Sequence, residues 1–264
     1  MAEARNPLLG PSPVEVPLAN APLVRVIGQV RFPLVISLQH RDFVAPFQEA
    51  IRQKYPVLRQ EGTRSIELQP DGNTIVESSV LWRFHDAAGA WRVTLGTDFL
   101  ALETTRYNSR SDFLDRFQYV LEALQEHVEL SVIDRVGLRF IDRIAANDVD
   151  DLHRLIQPQV VGVLGTALAP LTQQAVAHHV FHLPDENAQM SVRWGSLPPN
   201  VTFDPAAIEA IEAPSWVLDI DAFVQDTVDF ELGATMTLSR ALAERIYSVF
   251  RWVITDEFLK RYGG

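Results

Sequence analysis

From Leu23 to Phe32, apolar residues or glycine occupy every second position: Val24, Val26, Gly28, Val30 and Phe32, with Arg25, Gln29 and Arg31 between them. A period of two puts these sets on opposite faces of a strand, one buried and one wet or functional. Pro33 ends the run. The same period returns in Val80, Trp82 and Phe84, and again in Trp91, Val93 and Leu95 beyond the turn "DAAG". Further strands are expected at Phe99–Thr105, 131–144, Gln174–Leu183, Gln189–Gly195 and Trp216–Ala222. Helical periodicity interrupts this pattern. Asp42 is placed to cap a stripe of Phe43, Phe47, Ala50 and Ile51 running to about Tyr55, with Pro46 in the first turn, where a missing N–H costs little. Ser109 or Ser111 can cap a second stripe of Phe113, Phe117, Val120, Leu121 and Leu124. A short polar helix start follows at Asp150–Ile156. The chain closes with a helix expected from about Thr237 to Arg261, apolar at Leu238, Leu242, Val249, Phe250 and Val253.

Each half therefore reads strand–helix–strands–helix. Local echoes join the halves: "RFHDAAGAWRVTLG" with "VFHLPDENAQMSVRWG", and "GQVRF" with "GLRF". The expected fold is α+β: two similar halves, a duplication, each an antiparallel sheet with helices on one face and a helix-grip or TATA-binding-protein-like topology. Residues 1–20, rich in Pro, Ala and Asn, are expected as an extended N-terminal arm, 21–130 as the first half, and 131–264 as the second half with its long C-terminal helix. Topology of this kind does not fix function.

The 264 residues, 47% apolar and 22% charged, suffice for a substantial core. With no cysteine, disulfides, thiolate nucleophiles and cysteine-ligated zinc are excluded. Neither a leader with basic and apolar regions nor an apolar run long enough to span a bilayer is visible, so a cytoplasmic, non-membrane protein is expected. The net charge is −11, and Asp204–Glu231 holds eight acidic residues without one Lys or Arg. Such a surface repels phosphate backbones, so general nucleic-acid or anionic-membrane binding is disfavoured.

One segment breaks the strand pattern with charge. "DRVGLRFIDRI", Asp134–Ile144, alternates Asp134, Val136, Leu138, Phe140 and Asp142 on one face with Arg135, Gly137, Arg139, Ile141 and Arg143 on the other. Gly137 leaves a gap between two guanidinium stems where a backbone or a ligand can approach closely. Two readings are open. The arginines can hold register by pairing with carboxylates of neighbouring elements. Alternatively they form an anion site, since the guanidinium fork suits carboxylate or phosphate.

Taken with "PLANAPLVRVIGQVRFP" and "WRVTLGTDFLALETTRY", the motif resembles that of a sporadically distributed bacterial family of uncharacterised proteins of similar length. The family signature is close to R-x-G-L-R-[YF]-[IV]-[ND]-R-[IV]. It falls here on Arg135, Gly137, Leu138, Arg139, Phe140, Ile141, Asp142, Arg143 and Ile144. Phe140 and Asp142 stand where Tyr and Asn are frequent, so a phenolic hydrogen bond at that position is lost. The resemblance covers nearly the whole chain and implies a bacterial, cytoplasmic protein; it implies no activity.

Other constellations carry less. In "HHVFH", His178 and His182 share a strand face about 13 Å apart, too far for easy joint chelation, and a metal would need Asp185 or Glu186 to complete its shell. In "LDID", Asp219 and Asp221 share a face and could hold Mg²⁺ or Mn²⁺ beside a nucleotide, but no phosphate-cradling glycine loop accompanies them. Trp82, Trp91, Phe99 and Tyr107 read as core or cross-strand pairs. Neither a nucleophile elbow nor an H-E-x-x-H motif is present.

The expectation that follows is a non-catalytic binding or interaction protein, without cofactor or metal, that engages a partner protein or a small anionic ligand through its sheet or the groove between halves. The candidate contacts are Arg31, Arg135, Gly137, Arg139 and Arg143. The arm could add a strand to a neighbouring subunit, making a homo-oligomer. The alternative is an enzyme acting on a small anionic substrate, with the arginines as clamp and a carboxylate or His85 moving the proton. Sporadic occurrence in the resembled family also suggests an accessory component of a bacterial defence or toxin system.

Overall fold

A computed structural model describes residues 6–68, 74–145 and 148–264. The elements in chain order are β1 (Leu23–Arg31), α1 (Arg41–Ile51), β2 (Val57–Leu68), β3 (Thr74–His85), β4 (Trp91–Leu95), β5 (Phe99–Thr104), α2 (Arg110–Val128), β6 (Val132–Ile133), β7 (Arg135–Ala145), α3 (Leu152–Leu155), α4 (Pro158–Val161), β8 (Ala175–Leu183), β9 (Ala188–Leu197), β10 (Ser215–Val224), β11 (Val228–Asp229), α5 (Leu232–Val253) and α6 (Asp256–Arg261). The first five residues of the expected arm, and Asn73, where the second group of strands was expected to open, lie outside the described residues. The fold is α+β with a large antiparallel sheet, and no described helix is long and apolar enough to cross a membrane.

The chain divides into two compact units that do not follow the expected boundary at 130/131. One comprises the chain up to Val26, Gly137–Val224 and Thr237–Gly264; the other comprises Ile27–Val136 and Gln225–Met236. The division cuts β1 and β7, so each strand belongs partly to both units. Within the Ile27–Val136 unit the Asp134 N–H donates to the Arg31 carbonyl (2.7 Å), and within the other the Arg143 N–H donates to the Pro22 carbonyl (2.8 Å).

In the Ile27–Val136 unit the strand order is β2-β3-β4-β5-β1-β7. One face of β3 and β4 is the expected apolar set, with Trp82, Phe84, Trp91 and Val93 all buried. The helices cover it: Phe47 of α1 meets Phe84 edge-on at 5.6 Å, and Phe113 of α2 stacks on Trp91 at 5.9 Å. Ser109 caps α2 by accepting from the Asp112 N–H, the capping chosen by the hydroxyl's reach to an orphan donor. Strand β2 is the element sequence periodicity misses. Its start, Val57-Leu-Arg-Gln-Glu, is too polar to show alternation, and its antiparallel pairing with β3 is what makes it a strand.

In the other unit the order is β1-β7-β10-β9-β8. Gly195 lets β8 lie against β9, because a Cβ there would sit 1.9 Å from the Ala175 carbonyl oxygen. Helix α5 buries Leu242, Ile246 and Val249, as its stripe requires. It stops at Val253 rather than continuing to Arg261. Ile254 forms a bridge with Ile156, and Thr255 caps α6 by accepting from the Phe258 N–H. From Asn6 onward the N-terminal arm is held by its own chain. Tyr247 Oη accepts from the Val16 N–H at 2.8 Å, the Asn20 N–H donates to the Tyr262 carbonyl at 3.0 Å, and the buried Arg245 donates to the Gly10 carbonyl at 3.1 Å.

Candidate functional site

The three arginines of the motif strand have three different fates. Arg139 leaves β7 toward Asp219 of β10 and binds it bidentately, Nε to Oδ1 at 2.7 Å and Nη2 to Oδ2 at 2.8 Å. Its Nη2 also reaches Asp204 at 2.7 Å. Arg193 of β9 completes the group, with Nη2 2.7 Å from the same Asp219 oxygen and its guanidinium over the Phe203 ring. Asp219 is 2% exposed. Burial alone would lower the Arg139 pKa, but the two carboxylates raise it well above the ordinary guanidinium value. Burial alone would raise the Asp204 carboxyl, but Arg139 and the backbone amides of Ala206 and Ala207 hold it below the usual carboxylate range. This is a saturated ion cluster: two cations, two anions and bidentate geometry.

Arg143 donates through Nη2 to the Glu209 carbonyl, and Arg25 donates to the Ala206 carbonyl at 3.4 Å. Together with Arg139 and Arg193, these contacts tie the 204–209 segment to the strands of its own unit. Asp204 and Asp219, two of the acidic residues in 204–231, are therefore turned inward instead of forming a solvated charged face. Gly137 is buried.

Arg135 ends elsewhere. In the Ile27–Val136 unit it donates through Nη1 to Gln29 Oε1 at 3.1 Å. Both line a polar cleft of about 510 Å³ with Arg31, Phe32, Asp98, Asp134 and Gln225. The alternating wet face of β1 delivers Gln29 and Arg31, and the first residue of β7 delivers Arg135. Asp134 accepts from Thr227 Oγ1 at 2.8 Å. Arg31 pairs with Asp98, with side chains 51% and 37% exposed. An exposed pair of this kind contributes about 0–1 kcal/mol, so an incoming anion can displace Asp98 from Arg31 at small cost. Asp219 cannot be displaced from Arg139 so cheaply, because that would leave a buried carboxylate without a counter-ion it now holds bidentately.

Of the five residues singled out by sequence, the cleft brings together Arg31 and Arg135. Arg139 and Arg143 are engaged by their own unit, and Gly137 lies within β7. Sequence reasoning did not select Gln29, Asp98, Asp134 or Gln225 as contacts. Gln29 was nevertheless legible, since it shares the wet face of β1 with Arg31.

The histidine cluster lies on a strand, β8, as its alternation predicts. His178 hydrogen-bonds Ser191 Oγ at 2.8 Å, and His179 stacks on Trp194 at 4.5 Å. Among the described residues, no group of three or more His, Cys, Asp or Glu side chains is placed to hold a metal ion. No protein-family model matches the chain, and no curated protein matches it in sequence.

Proposed function

We propose that this is a non-catalytic binding protein whose small anionic ligand occupies the cleft of Arg31 and Arg135. The observation that carries this reading is the contrast in how the arginines are committed. Arg31 and Arg135 line an open polar cleft in which Arg31 is held by a weak exposed pair, whereas Arg139 is locked to a buried aspartate. A guanidinium fork exchanges an amide or an exposed carboxylate for a ligand carboxylate or phosphate with little net desolvation. Gln29 and Gln225 offer amide donors for its remaining oxygens.

Native mass spectrometry of the gently purified protein tests this. A stoichiometric small anion that is lost in both Arg31→Ala and Arg135→Ala, with each variant still folded, is the expected result. Retention of the same anion by both variants would remove the cleft as its site.

A further inference from the structure

The sheet of the Ile27–Val136 unit carries a second cationic cluster, which the cleft does not use. Its register sets basic side chains directly opposite one another: Arg59 of β2 faces Arg83 of β3, and His85 of β3 faces Arg92 of β4. Directly opposed residues share a face with Cβ atoms about 4.5–5.5 Å apart, and like charges there destabilise a sheet. The two rows lie two residues apart along β3, about 7 Å, so the four side chains form one compact patch. It faces away from the buried layer of Trp82, Phe84, Trp91 and Val93.

Only part of this charge is met. Glu61 accepts from Arg83 at 2.9 Å, and Glu103 pairs with Arg92. Three arginines against two glutamates leave the patch cationic within a chain of net charge −11. Arg59 is exposed and makes no ion pair among the described residues. The Nε of Arg83 is buried and has no hydrogen-bond partner among the described residues. The opposed arginines Arg59 and Arg83 and the orphaned Arg83 donor are two separate costs within about one square nanometre of sheet. A bound tetrahedral oxyanion offsets the repulsion between the opposed arginines.

We infer that this patch is an oxyanion site, taking the phosphate group of a small soluble phosphate ester between Arg59, Arg83 and Arg92, with His85 beside it. Guanidinium forks on adjacent strands match the oxygens of a tetrahedral anion, and the exposed Arg59 marks the side from which the ligand enters. The histidine reports occupancy. Burial first, then the charges of Arg59, Arg92 and Arg83, hold its imidazole below its ordinary pKa, with Glu103 opposing them. A dianion seated among the arginines reverses that field and favours the imidazolium. Binding therefore takes up a proton and tightens as pH falls through the histidine range.

The test uses the full chain and follows the C–H resonances of its seven histidines by NMR. Sulfate, which stays dianionic throughout, is the pH-independent probe, and sodium chloride at equal ionic strength is the control. The expected result is a saturable sulfate response at His85 that raises its pKa. Arg59→Gln, a change at an exposed side chain, weakens it about tenfold, and Arg83→Gln does likewise. Inorganic phosphate and glycerol phosphate then separate the sources: tighter binding of the ester supports the assignment as stated, and equal binding reduces it to a free-anion site. An equal response to chloride, or a response unchanged by both substitutions, overturns it. Arg135→Ala leaves the His85 response intact if the two sites are independent.

Discussion

Arg139 and Arg135 sit four residues apart on one strand and do opposite things. Arg139 meets a carboxylate that is 2% exposed, shares it with Arg193, and reaches a second carboxylate on the 204–209 segment. Arg135 donates to an amide at an open polar cleft, beside an arginine whose own partner is exposed. The residue type is the same and the strand is the same. What differs is the neighbouring strand: β10 offers Arg139 a buried aspartate, whereas β1 offers Arg135 a glutamine. A guanidinium becomes structural or available according to the desolvation of its partner, because a buried pair is costly to break and an exposed one is not.

The largest effect that would break this contrast is in the ion cluster. Asp219→Ala leaves Arg139 and Arg193 facing each other without their shared anion, and urea denaturation should show a loss of about 3–5 kcal/mol. A loss below about 1 kcal/mol, the range of an exposed pair, would make the cluster no more structural than Arg31–Asp98.

Asp142 sharpens the contrast with a third outcome on the same strand, a buried carboxyl. Burial raises its pKa from 3.8 to about 7. A raised carboxyl makes the folded state hold its proton longer than the unfolded one. Its favourable contribution is therefore complete below pH 3.8 and is lost as pH rises toward 7. Asp142→Asn should stabilise the protein above neutral pH, by roughly 4 kcal/mol at the upper limit, and the gain should vanish near pH 4. Denaturation of both forms at the two pH values checks the sign; a gain that grows on acidification would refute it.

The smallest stability effects belong to the cleft. Arg31→Ala and Arg135→Ala should each change stability by less than about 1 kcal/mol while abolishing retention of the small anion. A large loss of stability in either would move the cleft to the structural side of the comparison.

Much of this was legible in sequence because period two and period 3.6 are local signals. The alternation of β1, the apolar pairs on β3 and β4, the α2 stripe with its Ser109 cap, and the strand character of "AVAHHVFHL" all follow from neighbours within a few residues. The break at Ile254 was hidden, because an isolated bridge to Ile156 and a threonine cap end a stripe that continues to look helical. The strand β2 was hidden for the converse reason, since its polar start carries no alternation and only long-range pairing with β3 makes it a strand.

What the sequence determined by itself is which residues share a face: Gln29 with Arg31, Arg135 with Arg139 and Arg143, Arg83 with His85. Backbone geometry settles that within one strand. Which charges meet was decided only by tertiary structure. Asp219 lies 80 residues from Arg139, and Glu61 lies 22 residues from Arg83. Strand order and register alone bring them within hydrogen-bonding distance. The same long-range pairing sets the strength of each ion pair, because solvation depends on what the fold places around it.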